Sequence, residues 1–190
     1  MDTEPGRRTS WKSNLLLFTK VMTVAFVLFV LVRGFMFTNY IVYGQSMMPT
    51  IEDGERIIVN KIGYEIAEPN RFDLIIFHVD ETTDYIKRVI GLPGDHIEYN
   101  DDQLYINGET YEEPFLTDYL EASDERPFTT DFILDELLFA SEVPEGHVFV
   151  LGDNRQNSVD SRHIGFVPMD EIVGQANMAF WPIHNIRLFR

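Results

Sequence analysis

Short runs of β-branched and aromatic residues dominate the sequence after position 54, and they constrain the fold most strongly. Residues 55–60, 73–77, 85–90 and 148–151 form such runs, each bounded by Gly, Pro, Asn or Asp. These runs are typical of β-strands, and the pair Asn107-Gly108 indicates a two-residue hairpin turn. Residues 131–140 predict one short helix with Asp131 near its N-cap. The sequence therefore predicts a mainly β domain with an elaborated antiparallel sheet.

Residues 15–37 form an apolar segment whose only charged side chains are Lys20 and Arg33. As a helix it would extend about 35 Å, enough to cross a hydrocarbon core of about 30 Å. A buried core helix is disfavoured because the segment has no polar face, and a cleaved signal is disfavoured because no small-residue cleavage site follows. Since basic residues precede the segment, the positive-inside rule leaves the N-terminus in the cytoplasm. We expect a cytoplasmic tail over residues 1–14, one transmembrane α-helix in the lipid bilayer over residues 15–37, and an extracytoplasmic domain over residues 38–190.

The chain has a formal net charge of -16 and no cysteine. An acidic chain lacks the basic face that nucleic acid binding requires, so no nucleic acid partner is expected. Acidic residues concentrate in residues 100–146, the acidic region, where Arg126 is the single base. Its carboxylates lack the spacing of a calcium-binding loop, and the five histidines lack zinc-ligand spacing. We therefore expect a solvated peripheral insertion there, and neither a metal nor another cofactor.

Ser46 offers a hydroxyl among apolar neighbours such as Met47 and Met48 in the stretch of residues 43–50. Pro49 has no N–H and restricts Met48, so no helix can begin directly after Ser46, and we expect a stiff, extended loop. This arrangement departs from the Gly-x-Ser-x-Gly elbow, in which a helix follows the serine. From these residues alone, an ordinary loop serine remains an alternative to a nucleophile.

Lys87 is one of two lysines after residue 37, the other being Lys61. Strand alternation places Lys87 on the same face as Tyr85 and Val89, where an ammonium group is poorly solvated. Desolvation lowers the pKa of a lysine, and a neutral lysine can take a proton from a serine hydroxyl without a histidine. A half-exposed strand lysine is the alternative.

A dense polar stretch, residues 152–162, follows the strand predicted at residues 148–151. It contains Ser158, which could bond to a neutral lysine, and the opposite charges of Asp160 and Arg162, which could fix the loop. A catalytic triad of Ser46, His163 and Asp160 has no support from their positions in the sequence.

Residues 44–50, 71–77, 85–95 and 152–162, together with the N-terminal apolar segment, resemble the type I signal peptidases in their order and spacing. These are membrane-anchored serine/lysine proteases that remove signal peptides from exported proteins. The resemblance implies that Ser46 is the nucleophile and Lys87 the general base. It also implies that Ser158 orients Lys87 and that Asp160 and Arg162 pair to hold their loop.

Two positions depart from the pattern of this family. Gly44 stands where some members carry a serine that assists the oxyanion hole, as in the Gram-positive branch, so the oxyanion would rest mainly on backbone N–H groups, including that of Ser46. Phe72 stands where a glycine often occurs, and we interpret this difference as peripheral.

The resemblance implies preprotein substrates with small residues, usually alanine, at the first and third positions before the cut, and an acyl-enzyme intermediate. The apolar residues near the catalytic pair are the expected pocket walls, namely Met47, Ile51, Tyr85 and Ile86. Two other readings stay open: a soluble serine/lysine autoprotease of the SOS-repressor type, and a membrane-tethered binding protein or inactive relative. The apolar segment argues against the first, and the presence of both Ser46 and Lys87 argues against the second.

Overall fold

The computed structural model describes residues 11–61, 64, 68–122 and 127–189. The chain divides into two units, Met1–Phe37 and Thr38–Arg190. In the first unit, helix α1 extends over Trp11–Met36, a length of about 39 Å. Many of its apolar side chains, such as Leu16 and Phe29, are exposed.

Across the part of the chain that the structure describes, no helix combines enough length and apolarity to cross a membrane. The transmembrane helix predicted for residues 15–37 is therefore not confirmed.

An eight-stranded antiparallel sheet forms the main part of the second unit. Its strands are β1 (Phe37–Ile41), β2 (Arg56–Asn60), β3 (Leu74–Asp80), β4 (Thr83–Gly91), β9 (His147–Leu151), β10 (Val167–Pro168), β11 (Ile172–Trp181) and β12 (Arg187–Leu188). The order is β1-β2-β11-β3-β4-β9-β10, and β12 pairs with β11. All four predicted runs lie in this sheet, as β2, β3, β4 and β9. The predicted mainly β, antiparallel fold is confirmed.

A second, four-stranded sheet has the order β7-β6-β5-β8. Its strands are β5 (Ile97–Asn100), β6 (Gln103–Ile106), β7 (Glu109–Tyr111) and β8 (Phe132–Ile133). Asn107 and Gly108 join β6 to β7 with φ of 54° and 81°, the positive values of a type I′ turn, so the predicted two-residue hairpin turn is confirmed. Among the described residues, the α-helices of this unit that have defined bounds are short: α2 (Thr117–Ala122), α3 (Leu134–Leu138) and α4 (Ser161–Ile164).

The helix predicted over residues 131–140 is shorter than expected, because its first residues form a strand. Phe132 and Ile133 pair with Tyr99 and Glu98 of β5, so the helix begins only at Leu134. Asp131 is not its N-cap; its carboxylate accepts a hydrogen bond from the Asp101 N–H at 3.0 Å. Tertiary pairing with β5 thus overrides the local helical pattern.

Three clusters of buried apolar side chains form the core. One includes Met47, Ile51 and Ile57, and another contains Val89 and Val150 of the large sheet. The remaining cluster joins the two sheets through residues such as Tyr99, Leu104, Leu134, Phe149 and Leu151. Each fully buried side chain of this size contributes about 1.5–3 kcal/mol to folding. The small sheet is thereby fixed against β9, directly before residues 152–162.

Candidate active site

Ser46 lies in the connection between β1 and β2, where the chain makes consecutive turns. The Met48 N–H donates to the Gln45 carbonyl at 3.2 Å, and the Ile51 N–H donates to the Met47 carbonyl at 2.8 Å. No helix follows Ser46, as predicted, but the extended loop was wrong, because these hydrogen bonds fold residues 46–50 into a compact turn. Ser46 is half-buried.

Lys87, on β4, contacts Ser46 directly. Its Nζ lies 2.9 Å from Ser46 Oγ and donates a second hydrogen bond to the Ile86 carbonyl at 2.9 Å. The residue is only 3% exposed, and Nζ lies 5.0 Å from the centre of the Tyr85 ring. Burial lowers the pKa of Lys87 to about 8, against the opposing effect of the Asp160 and Asp153 charges. A neutral amine at this position can accept the proton of the Ser46 hydroxyl.

Asp160 and Arg162 form a two-bond ion pair at the start of α4. Arg162 Nε and Nη2 donate to the two Asp160 oxygens at 2.9 and 2.8 Å, and the Gly152 N–H donates to Asp160 at 3.0 Å. Burial alone would raise the pKa of Asp160, but these hydrogen bonds and the Arg162 charge outweigh it and lower that pKa. Asp160 therefore stays ionised and closes residues 152–160 into a fixed loop, the Gly152–Asp160 loop.

Ser158 is buried in the Gly152–Asp160 loop and lies on the wall of the same groove as Ser46 and Lys87. The hydrogen bonds of Lys87 within the described residues go to Ser46 and Ile86, so the expected direct bond from Ser158 is not seen. An orienting role for Ser158 stays a prediction.

Two residues of this loop, Gly152 and Asn154, contact the backbone at Ser46, and sequence reasoning had given neither of them an individual role. The Asn154 N–H donates to the Ser46 carbonyl at 3.0 Å, and Asn154 Nδ2 donates to the Gln45 carbonyl at 3.0 Å. A Cβ at Gly152 would lie 2.5 Å from the Ser46 carbonyl oxygen and 2.2 Å from Ser158 Oγ. The loop can approach Ser46 only because position 152 has no side chain. The Gly-Asp-Asn run was a visible signal, but its contacts with residues 45 and 46 were not.

A fully buried ion pair ties the same loop to β4. Arg88 Nε donates to Asp153 Oδ1 at 2.8 Å, and Nη2 lies 2.5 Å from Oδ2. Arg88 also donates to the Phe72 carbonyl at 2.9 Å. Since Arg88 directly follows Lys87, this ion pair fixes the position of the loop relative to Lys87.

A groove of about 760 Å³ runs past Ser46 and Lys87. Its walls include Tyr40, Val42, Ile57, Ile76, Asp84, Tyr85 and Ile86 from the large sheet, and Asp131, Phe132, Leu137, Gln156, Val159 and His163 from the other side. Tyr85 and Ile86 thus line the groove at the predicted place. The alternation of side chains along a strand could have suggested Tyr40, but the contributions of β2 and β3 required knowledge of strand order.

Met47 and Ile51 do not line this groove, so their assignment as pocket walls was wrong. They are 1% and 0% exposed and belong to the core cluster that contains Ile57. The turn after Ser46 directs both side chains into the core, because the Ile51 N–H bonds back to the Met47 carbonyl.

Gly44 has φ of +91°, a conformation that favours glycine, and its N–H donates to Asp53 at 2.7 Å. This N–H is therefore already engaged. By contrast, the Ser46 N–H donates no hydrogen bond to any residue that the structure describes.

In the described residues, the site shows neither a histidine bonded to Ser46 nor a cluster of metal ligands. Although His163 lines the groove, Lys87 is the side chain bonded to Ser46 Oγ. Nowhere in the described ranges do three or more potential ligands cluster in a way that could hold a metal ion.

Comparison with known proteins assigns the chain to a family. The family model described as Signal peptidase, peptidase S26, matches residues 15–181. A signal peptidase I of Bacillus caldolyticus is 48% identical over 177 residues, covering 93% of this chain and 91% of that protein. A signal peptidase IB of Staphylococcus aureus (strain Mu50) is 40% identical over 180 residues, covering 93% and 94%. The crystal structure of a signal peptidase I from Enterococcus faecalis is 43% identical, with a TM-score of 0.54, and covers 57% of this chain and 97% of that one. The predicted resemblance to the Gram-positive-like branch is confirmed.

Proposed function

The chain belongs to the signal peptidase family, peptidase S26, and is a serine protease; from this premise we propose that it removes signal peptides from exported preproteins with a Ser46/Lys87 dyad. The observation that carries the proposal is the 2.9 Å contact between Ser46 Oγ and a buried lysine amine. The lowered pKa of Lys87, about 8, supports it, because roughly one tenth of the amine is then neutral at pH 7, far more than for an exposed lysine.

The reaction proceeds in two stages through an acyl-enzyme. Neutral Lys87 takes the Ser46 proton while Oγ attacks the scissile carbonyl, and the Ser46 N–H stabilises the resulting oxyanion. As the intermediate collapses, Lys87 returns the proton to the leaving amine. Lys87 then takes a proton from water, which attacks the ester; as this second intermediate collapses, Lys87 returns the proton to Ser46 Oγ and the signal peptide is released. No step requires a metal or an organic cofactor.

The groove accommodates the substrate as an extended strand. Alternate side chains of such a strand point the same way, so the first and third residues before the cut would enter neighbouring pockets. Bulky walls, including Tyr40, Ile76, Tyr85 and Ile86, favour small residues there, which corresponds to sites of the Ala-x-Ala type.

Attachment to the cell membrane is part of the same proposal. We place residues 15–37 in the bilayer, the N-terminus in the cytoplasm and residues 38–190 outside. The exposed apolar side chains of α1 support this placement, whereas the apolarity of the described helices does not reach that of a spanning helix. Alkaline carbonate extraction of membranes tests it: an integral protein stays in the pellet, and release into the supernatant would refute a spanning anchor.

Cleavage itself is tested with the purified full chain and a preprotein that carries one Ala-x-Ala site. Mass spectrometry of the product should show one new N-terminus directly after the second alanine. Ser46→Ala and Lys87→Ala should abolish the product while the proteins stay folded, and Lys61→Ala, which removes the other lysine after residue 37, should cleave normally. Full activity in either dyad variant would eliminate the mechanism.

A further inference from the structure

Arg155 is the single cationic side chain of the Gly152–Asp160 loop, and the mechanism above does not use it. Its side chain is fully buried, and it donates through Nη1 to Tyr99 at 2.6 Å and to Thr129 at 3.3 Å. Its Nε donates to the Gly152 carbonyl at 3.0 Å. The guanidinium therefore joins the small sheet to the first residue of the loop.

Glu113 supplies the charge that Arg155 requires. Its Oε1 lies 2.5 Å from Arg155 Nη2, and its Oε2 lies 3.3 Å from Nη1 and 2.8 Å from the Tyr99 hydroxyl, which donates to it. Burial raises the pKa of Tyr99, so this tyrosine stays neutral and acts as a donor. A guanidinium without its carboxylate would be costly at this depth.

Glu113 belongs to the acidic region, which the sequence predicted to be solvated and peripheral. The prediction is wrong for this residue: its side chain is only 8% exposed. Its neighbour Glu112 is exposed, as predicted. One carboxylate of the region thus turns inward, towards the loop that holds the nucleophile.

One packing contact and one hydrogen bond connect the neighbourhood of Arg155 to Ser46. The Arg155 side chain holds the Gly152 carbonyl, and Gly152 lies against the Ser46 carbonyl. Arg162 donates to the Arg155 carbonyl at 2.7 Å, and the Asn154 N–H, one residue earlier, donates to the Ser46 carbonyl at 3.0 Å. A displacement of Arg155 would therefore move both Gly152, which packs against the Ser46 carbonyl, and the Asn154 N–H, which donates to it.

We propose that Glu113 is a positioning residue, which holds Arg155 and through it the Gly152–Asp160 loop in the geometry that places Ser46 Oγ against Lys87. The inference rests on the proposed dyad. It gives one residue of the acidic region an indirect role in catalysis, because the Glu113 carboxylate does not itself touch the reacting atoms. Misplacement of a catalytic group by about 1 Å costs up to a hundredfold in rate, so a modest shift of this loop is sufficient to be measured.

The test compares Glu113→Gln with the adjacent control Glu112→Gln in the full chain, on the preprotein used for the wild type. Glu113→Gln should lower kcat about tenfold or more with KM changed less, whereas Glu112→Gln should match the wild type. Rates are normalised to the folded fraction, measured by circular dichroism. If the wild type fails to cleave, the proposed function fails; if the wild type cleaves and both variants match it, only this inference fails.

A second variant separates positioning from stability. Glu113→Gln/Arg155→Met removes the unpaired charge, so its thermal midpoint should recover towards the wild type. Its kcat should stay low, because nothing then holds the Gly152 carbonyl. Recovery of both the midpoint and kcat would show that Glu113 only stabilises the fold, and it would overturn the proposal. Should Glu113→Gln not fold, Glu113→Asp keeps the charge on a shorter side chain and should still lower kcat.

Discussion

The pH dependence of cleavage follows directly from the environment of Lys87. An ordinary lysine has a pKa of 10.5, whereas burial lowers that of Lys87 to about 8. The site thus disfavours the protonated amine by about 3 kcal/mol relative to water. Because only the neutral amine can accept the Ser46 proton, kcat/KM should rise with pH and reach a plateau above about pH 9.

The size of this rise distinguishes a buried from an exposed lysine. With a pKa of about 8, roughly one tenth of the amine is neutral at pH 7 and nearly all of it at pH 10, so kcat/KM should increase about tenfold. With the ordinary lysine value, the same interval would give an increase of roughly 700-fold and no plateau.

Initial rates on an internally quenched peptide with one Ala-x-Ala site measure this profile. The peptide should carry no group that titrates between about pH 6 and 10, and its concentration should stay far below KM so that the free enzyme is reported. Lys61→Ala is the control and should show the same midpoint. A flat profile would refute a lysine base, and a rise that continues to pH 10 without a plateau would refute its burial.

Three further predictions concern stability and geometry. Lys87→Met should raise the free energy of unfolding by up to about 3 kcal/mol below pH 8, and this gain should vanish by about pH 10.5. Between these pH values the unfolded chain still holds the proton that buried Lys87 has released, so the wild type loses stability as the pH falls. Urea unfolding at several pH values measures the difference. Gly152→Ala should lower kcat/KM about a hundredfold, since a Cβ collides with the Ser46 carbonyl oxygen, whereas Gly34→Ala, where a Cβ meets nothing within 4 Å, should not. Asp153→Asn should cost about 3–5 kcal/mol in urea unfolding because it leaves the buried Arg88 unpaired, and a cost below about 1 kcal/mol would contradict this.

Strand-forming patterns predicted the scaffold well because each strand lies in a segment of consistent local preference. Alternation along residues 85–90 likewise predicted a poorly solvated Lys87, since the face of a strand residue is fixed by its parity. The same reasoning failed for Met47 and Ile51: closeness in sequence to Ser46 suggested pocket walls, but turn hydrogen bonds direct these side chains into the core. The direction in which a loop side chain points depends on backbone turns, and apolar composition does not reveal those turns.

Long-range polar contacts were beyond the reach of sequence patterns. Glu113 is one of many carboxylates in the acidic region, and nothing local distinguishes it from Glu112. It follows β7, and the pairing of β7 with β6 and of β6 with β5 brings it to Tyr99 and Arg155. Phe72 shows a different limit. Its φ of 72° explains why a glycine suits that position, while its ring contacts Phe115 with centroids 5.3 Å apart. The side chain that strains the backbone also packs into the core.

The strength of the base at this site depends on two opposing influences on Lys87. Burial alone would carry its pKa further down, and a weaker base removes the Ser46 proton less readily. The carboxylates of Asp160 and Asp153 oppose that fall, but each is itself paired, with Arg162 and with Arg88. Paired carboxylates attract an ammonium less strongly than free ones would, so the pKa settles near 8 instead of returning to that of an exposed lysine. The ion pairs that fix the Gly152–Asp160 loop would therefore also tune the proposed base, so that the geometry and the basicity of the proposed dyad depend on the same few buried charges.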